Sequence, residues 1–312
     1  MNGVRILGDG VAARCCGHLL TQAGYRVSFE VTERARVPVI LLSAAAQDLI
    51  RDIFQRGDLF LDAPVIRRRV VAWGSGDPVE LEHSAVVVSE EALLGGLRMV
   101  SGSADAGWTI YAGPNASAIE HRFGSRMAAA VKVEMKESDS CWMESLEDGW
   151  LFLNSGWLIA VGVEAEELLG KSRLVRGQIT GWGKAVGRFS ASPRMVLPLG
   201  GEGWIACGAA AMGFDPLCGD GTAHAVREAI LASAVIRAAD LGEPVEELVR
   251  HYEDRLRAGF QRHLAQCREF YLSGGVGGWW KEQVECCEEG LRWCGAASGF
   301  RYRLEGLELK RV

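Results

Sequence analysis

No apolar run in the 312-residue chain is long enough to cross a bilayer as a helix. The longest, Trp150 to Val163, is broken by Asn154, Ser155 and Gly156. Basic excess is also missing. With 34 Lys and Arg against 40 Asp and Glu, the net charge is -6 and the pI near 5.6, which excludes an electrostatic footprint for nucleic acid or an anionic membrane. The densest basic cluster, Arg67-Arg68-Arg69, reads as the solvated end of a strand. Cys286, Cys287 and Cys294 have neither C-x-x-C spacing nor a nearby histidine, so no metal site is expected. Cys15 and Cys16 sit side by side in a predicted helix, where neighbours cannot face the same way, and read as small core residues. An odd total of nine cysteines, with a strand starting by Val4 and no room for a signal peptide, leads us to expect a reducing, cytoplasmic location. The histidines are scattered without a shared motif, and no acid or base stands out as catalytic. His224, close behind Gly221, is the one held in reserve. Repeats and low-complexity tracts are absent.

What is present is an ordinary globular composition, 48% apolar and 24% charged, in a chain long enough for two packed domains or one large one. Val4 to Leu7 predicts a first strand, and Gly8-Asp9-Gly10-Val11-Ala12-Ala13 follows at once, opening a helix over Val11 to Ala23. This is a G-x-G-x-x-A form of the dinucleotide fingerprint. Its first glycine makes the tight turn and its second lets a pyrophosphate approach bare backbone. Arg26 to Phe29 predicts the second strand, and Glu30 stands 22 residues beyond Gly8, where an acid would bind a ribose diol. An ordinary strand, turn and helix with a surface glutamate is the plain alternative.

A second glycine-rich passage organises the rest of the chain. Trp204 to Cys207 suits a buried strand; small residues follow, then Asp215-Pro216 and Gly219-Asp220-Gly221 ahead of a helix over Thr222 to Asp240. The amides and dipole of that helix N-terminus suit an anion, or a ring that becomes negative. Between the two passages Pro38 to Ser43 leads as a loop into the next helix, and we expect strands at Val65 to Val71 and Val79 to Val88. Further strands are expected at Trp108 to Ala112, Met127 to Met135, Cys141 to Leu146, Gly149 to Leu153 and Trp157 to Val163. Helices are expected at Ala44 to Arg56, Glu90 to Val100 and Glu164 to Leu169, and a second helix or loop at Gly170 to Arg188. Trp142, Trp150 and Trp157 would line a substrate pocket or pack in the core. The chain continues as a helix over Val245 to Tyr271, a flexible break at Gly274 to Gly278, and a last helix from Trp279 to Trp293.

Ser192-Pro193-Arg194, the strand, Asp215-Pro216 and Gly219-Asp220-Gly221 together resemble the second flavin-contacting segment of FAD-dependent oxidoreductases of the p-hydroxybenzoate hydroxylase type. Within that family the resemblance is closest to the geranylgeranyl reductase and flavin-dependent halogenase branch, and Arg268-Glu269-Phe270-Tyr271 resembles the C-terminal arm of the halogenase-like members. The resemblance implies an α/β fold in which a Rossmann-like FAD-binding domain (residues 1-60, 86-126 and 190-242) is interleaved with an antiparallel-sheet substrate domain (61-85 and 127-189). A C-terminal helical segment (243-312) completes it. It implies that Gly8, Gly10, Val11, Ala12, Ala13, Glu30, Gly208, Asp215, Pro216, Gly219, Asp220 and Gly221 hold FAD, the last helix stabilising negative charge on the reduced ring.

Three departures bear on function. Ala209 stands where the family usually has an aspartate on the ribityl chain, and Glu90 where relatives place an arginine that helps hold the cofactor. Two such losses would loosen FAD about a hundredfold or more. Halogenation is disfavoured, because the loop Pro38 to Ser43 lacks a lysine and Trp150 is the only tryptophan kept of the halogenase motif. The expected activity is a flavin monooxygenase that hydroxylates an aromatic or electron-rich substrate, either a small molecule or a side chain of a partner protein, with NAD(P)H or a separate flavin reductase supplying electrons. A geranylgeranyl reductase-like enzyme is one alternative. A non-catalytic binding or maturation protein with weak or no FAD binding is the other.

Overall fold

The structure is a computed structural model and describes the chain apart from residues 1–2, 32–33, 35, 98, 100–105, 114–117 and 296–298. Seven α-helices occur among the described residues: α1 (Val11–Gln22), α2 (Ala44–Phe54), α3 (Glu90–Gly96), α4 (Ala165–Lys171), α5 (Gly221–Asp240), α6 (Val245–Gly274) and α7 (Gly278–Cys294). None is long and apolar enough to cross a membrane.

The apolar run at Val4 and Ile6 becomes the central strand, Gly3–Leu7, of a five-stranded sheet. It pairs in parallel with Arg26–Glu30 on one side and Ala106–Tyr111 on the other, and Trp204–Ala206 pairs in parallel with Ala106–Tyr111. Strands buried on both faces need uninterrupted apolar side chains, and Val4, Ile6, Ile110 and Ile205 are fully buried. Helices α1 and α5 cover this sheet and bury Cys16 against Cys207, Sγ to Sγ 3.8 Å. All three neighbouring parallel strands end on one edge, at Gly8, Ala112 and Cys207, which is where open α/β sheets bind ligands.

The second sheet has eight strands in the order Ile179–Ser190, Met127–Met135, Trp157–Gly162, Gly149–Asn154, Ser140–Leu146, Val65–Ala72, Val79–Val88 and Ile40–Ser43. Every pairing is antiparallel except that of Val65–Ala72 with Ser140–Leu146. Trp142 and Trp150 are buried in its two apolar clusters, so packing accounts for them. Trp157 is half-buried with the Lys132 ammonium 4.7 Å from its ring. The passage Gly170 to Arg188 corrects the expectation of a second helix or loop: most of it lies in the long edge strand Ile179–Ser190. The helix expected over Glu90 to Val100 stops at Gly96, and Val100 lies outside the described residues.

Helices α6 and α7 lie against both sheets. Trp280 is fully buried, donates from Nε1 to the Leu146 carbonyl at 2.8 Å, and meets the Trp73 ring edge-on at 5.5 Å. A β-carbon at Gly274 would stand 2.2 Å from the Trp280 ring. The glycines between α6 and α7 therefore serve close packing, where the sequence suggested a flexible break. After α7 the chain adds an antiparallel hairpin, Tyr302–Glu305 with Glu308–Arg311, that the expected helical segment did not include.

Candidate functional site

The turn between Gly3–Leu7 and α1 is shaped by contact with the neighbouring strand. Gly8 has φ +126, and a β-carbon there would lie 2.9 Å from the Ala112 carbonyl carbon, so only glycine fits. Gly10 differs. Its φ of -66 suits any residue, and a β-carbon would meet only the Arg34 guanidinium, at 3.6 Å. Glycine at this position brings Arg34 close over the α1 N-terminus rather than relieving the backbone. Gly10 caps α1 with no side-chain hydrogen bond, which leaves first-turn amides for an external acceptor. Val11, Ala12 and Ala13 are the first residues of that turn, all buried. Glu30 ends the adjacent strand in register with Leu7, its side chain exposed and its carbonyl accepting from the Gly8 amide at 2.9 Å.

Two arginines from the loop after Glu30 reach this turn. Arg36 pairs with the buried Asp9 through both guanidinium nitrogens, Nη1 to Oδ1 at 3.0 Å. Arg34 pairs with Glu90, Nη1 to Oε2 at 3.0 Å, and also lies 3.6 Å from Asp9 Oδ1. Arg36 holds the Asp9 carboxyl below its ordinary range. Burial pushes Glu90 up, but Arg34 and the Val37 amide, which donates to Oε2 at 2.8 Å, outweigh it and the net direction is down. Arg14 ties α1 to α3 by donating to the Leu94 and Leu97 carbonyls at 2.8 and 2.7 Å. Glu90 is therefore not a lost cation. It is the anchor for a cation delivered from another loop, one the sequence reading missed although the pattern Arg34-x-Arg36 begins four residues after Glu30.

The second glycine passage packs directly behind the first. Gly208 has φ +59, and a β-carbon there would lie 2.7 Å from Ala12 Cβ. The Gly208 amide donates to Glu228 Oε2 at 2.7 Å; Glu228 is fully buried on α5 and burial raises its carboxyl to about 8. Ala209 is exposed in the same turn, and its carbonyl accepts from Arg194 Nη2 at 2.6 Å.

Asp215 is the site candidate whose side chain turns furthest inward. Its carboxylate accepts from Arg126 Nε at 3.1 Å, from the Tyr271 hydroxyl at 2.7 Å and from the Leu217 amide at 3.0 Å. Burial pushes it up against the pull of Arg126. Arg126 Nη1 donates to Gln283 Oε1 at 2.7 Å, and the guanidinium stacks 4.9 Å from the Tyr271 ring centre. The Asp215 amide donates to His263 Nε2 at 2.9 Å. Arg126, Tyr271, His263 and Gln283 thus fix the loop through Pro216 that leads to Gly219 (φ +65), Asp220 and Gly221, the start of α5. Asp220 accepts from Arg227 Nη1 at 3.0 Å. His224 stacks on Phe214 at 4.3 Å, and burial lowers its pKa, so its ring is a packed neutral surface beside the turn.

A surface groove of about 380 Å³ beside Glu166 and Trp182 lies on the far edge of the eight-stranded sheet from Ile40–Ser43 and is separate from both glycine passages. The two passages meet where Gly208 packs on Ala12 at the carboxyl ends of the parallel strands, and Arg34 stands over Gly10 beside Asp9, Arg36 and Glu90.

No protein-family model and no curated protein matches the sequence. Solved structures match the fold over nearly the whole chain. The peptidyl tryptophan dihydroxylase QhpG, essential for tryptophylquinone cofactor biogenesis, superposes with a TM-score of 0.77 at 19% identity, covering 99% of this chain and 86% of QhpG. The flavin-dependent halogenase CmlS gives 0.72 at 16% identity over 94% of this chain and 70% of its own. A substituted HpxO from Klebsiella pneumoniae, complexed with FAD, gives 0.58 at 16% identity over 91% and 95%. The chain has the fold of FAD-dependent oxidoreductases of the flavin monooxygenase and halogenase type.

Proposed function

We propose that this chain is an FAD-dependent monooxygenase that hydroxylates an aromatic side chain carried by a partner polypeptide. The observation that carries the reading is the α1 N-terminus behind Gly10, with no side-chain cap and with the Arg34 guanidinium over it, in a fold shared with flavin-dependent enzymes. The donor set fits FAD. The α1 amides and the Arg34 and Arg36 guanidiniums suit a pyrophosphate, the Glu30 carboxylate suits a ribose diol, and the α5 N-terminus suits a ring that gains negative charge. Bound FAD would supply the electron transfer and oxygen activation.

The residues around the α1 N-terminus would bind, orient and neutralise. Arg34 and Arg36 would offset phosphate charge while Asp9 and Glu90 hold them in place. Asp215, fixed by Arg126 and Tyr271, would set the turn at Gly219–Gly221 against the ring. A protein-borne aromatic substrate is favoured because QhpG, similar over 99% of this chain, acts on a peptidyl tryptophan. Electrons would come from NAD(P)H or from a flavin reductase partner.

The test is a single turnover. FAD-loaded protein is reduced without oxygen, mixed with oxygenated buffer and a tryptophan- or tyrosine-bearing polypeptide, and the polypeptide is weighed. Addition of one oxygen atom from labelled O2 is expected. Oxidation of the flavin with no oxygen incorporated into any aromatic polypeptide or small aromatic would refute the monooxygenase reading.

A further inference from the structure

Two thiols meet where the loop ahead of α5 crosses α6. We propose that Cys218 and Cys267 form a peroxide-reactive dithiol that closes to a disulfide, a covalent modification site joining the turn ahead of α5 to the long helix α6. Their Sγ atoms lie 3.4 Å apart although the residues are 49 positions apart in sequence. A disulfide requires about 2.05 Å, so closure asks for a shift of about 1.4 Å. Cys218 can supply it. It is the last residue of the one-turn helix Pro216–Cys218, followed by Gly219 in the left-handed region, and it is half-buried where Cys267 is wholly buried.

That difference in access orders the chemistry. The Cys218 thiol attacks one oxygen of hydrogen peroxide; an S–O bond forms, the O–O bond breaks and one water leaves. The Cys267 thiol then attacks the Cys218 sulfur; the S–S bond forms, the S–O bond breaks, and the departing hydroxide takes the Cys267 proton as a second water. Two thiols are oxidised and one peroxide is reduced to two waters.

The same neighbourhood contains His263, whose Nε2 lies 3.4 Å from Cys267 Sγ, and the three side chains bring their donor atoms within 4.8 Å of one another. A soft cation would accept that spacing. The Nε2 lone pair, however, already receives the Asp215 amide at 2.9 Å, which leaves the two thiols as the reactive unit. An internal comparison is available in Cys16 and Cys207. Their sulfurs are also close, at 3.8 Å, but both residues are fully buried between α1 and the parallel sheet, so peroxide has no route to them. The proposal stands on geometry and access and holds whether or not the chain binds flavin.

The test uses the full chain, freed of reductant and treated with hydrogen peroxide, then alkylated and mapped by mass spectrometry without reduction. The expected result is an intact mass lower by two hydrogens and a crosslinked peptide pair containing Cys218 and Cys267, reversed by dithiothreitol. Cys218→Ser should abolish that crosslink, Cys286→Ser should leave it unchanged, and Cys267→Ser should leave Cys218 as a sulfenic acid that dimedone traps. Three results would overturn the proposal: Cys218 oxidised to sulfinic acid while Cys267 still alkylates, a bridge formed at Cys16 and Cys207 instead, or stoichiometric zinc in the native protein that Cys218→Ser removes.

Discussion

Arg34 and Glu90 meet beside the α1 N-terminus, Nη1 3.0 Å from Oε2, and the guanidinium so held lies 3.6 Å from where a Gly10 β-carbon would stand. A carboxylate at position 90 removes a cation from α3, and the loop after Glu30 returns one to the α1 N-terminus. Replacing Arg34 by Gln should therefore weaken FAD binding about tenfold to a hundredfold, the effect of one lost charged hydrogen bond. Flavin fluorescence titration checks it. Equal affinity in the two proteins would show that Arg34 does not face the cofactor.

Gly8 and Gly10 should separate in mutation. Gly8→Ala forces a β-carbon to within 2.9 Å of the Ala112 carbonyl carbon at φ +126 and should destabilise the fold. Gly10→Ala meets no backbone obstacle and should leave stability within about 0.5 kcal/mol while lowering FAD affinity at least about tenfold, because the methyl stands between Arg34 and the α1 N-terminus. Thermal melts and flavin titration on the same two samples make the comparison.

The buried Arg126 and Asp215 pair should be structural first. Asp215→Ala leaves the guanidinium unpaired in a site where both side chains are almost fully buried, and should cost about 3 to 5 kcal/mol. Asp215→Asn keeps an acceptor and should cost less. Urea denaturation at neutral pH reads the difference.

Three buried groups set the expected pH profile. Burial holds His263 down to about 3 and His251 to about 4, against 6.5 when exposed, and raises Glu228 to about 8 from 4.5. As pH falls below 6.5, the unfolded chain takes up protons at both histidines that the folded chain refuses, so stability drops. As pH rises from 4.5 to 8, the unfolded chain has released a proton that folded Glu228 keeps, so stability also drops, by up to about 1.4 kcal/mol per pH unit. Below 6.5 these two histidines, joined by His18, His83 and His224, which burial also holds down, outweigh the glutamate; their effect fades above 6.5 while that of Glu228 persists toward 8, so the melting temperature should peak near neutrality and fall toward pH 8. Glu228→Gln should flatten the alkaline side while still accepting the Gly208 amide. A melting temperature that keeps rising from pH 6.5 to 8 in the unmodified chain would contradict this account.

What could be read from sequence was local. Gly8, Gly10 and Glu30 sit in one strand, helix and strand unit whose spacing is set by the chain itself, and Trp204 to Cys207 and α5 carry their own apolar patterns. What escaped was long-range pairing. Arg126 is 89 residues from Asp215 and 157 from Gln283, and Arg34 is 56 from Glu90, so neither network has a sequence signature. Glu90, judged alone, looked like a loss. The strand Ile179–Ser190 was missed because Gly181, Gly183 and Gly187 dilute its pattern, and its bulged pairing with Met127–Met135 supplies the register that its own side chains do not. The glycines ahead of α7 looked flexible because their partner, the Trp280 ring, declares itself only in three dimensions.

The central claim is that the α1 N-terminus behind Gly10 holds FAD, and an absorbance spectrum tests it most directly. The purified chain is saturated with FAD, desalted, and scanned from about 300 to 550 nm. The account predicts flavin bands near one equivalent per chain, sharply reduced in Gly10→Ala. A chain that stays colourless after saturation would contradict it and leave a binding or maturation protein built on a flavoprotein fold.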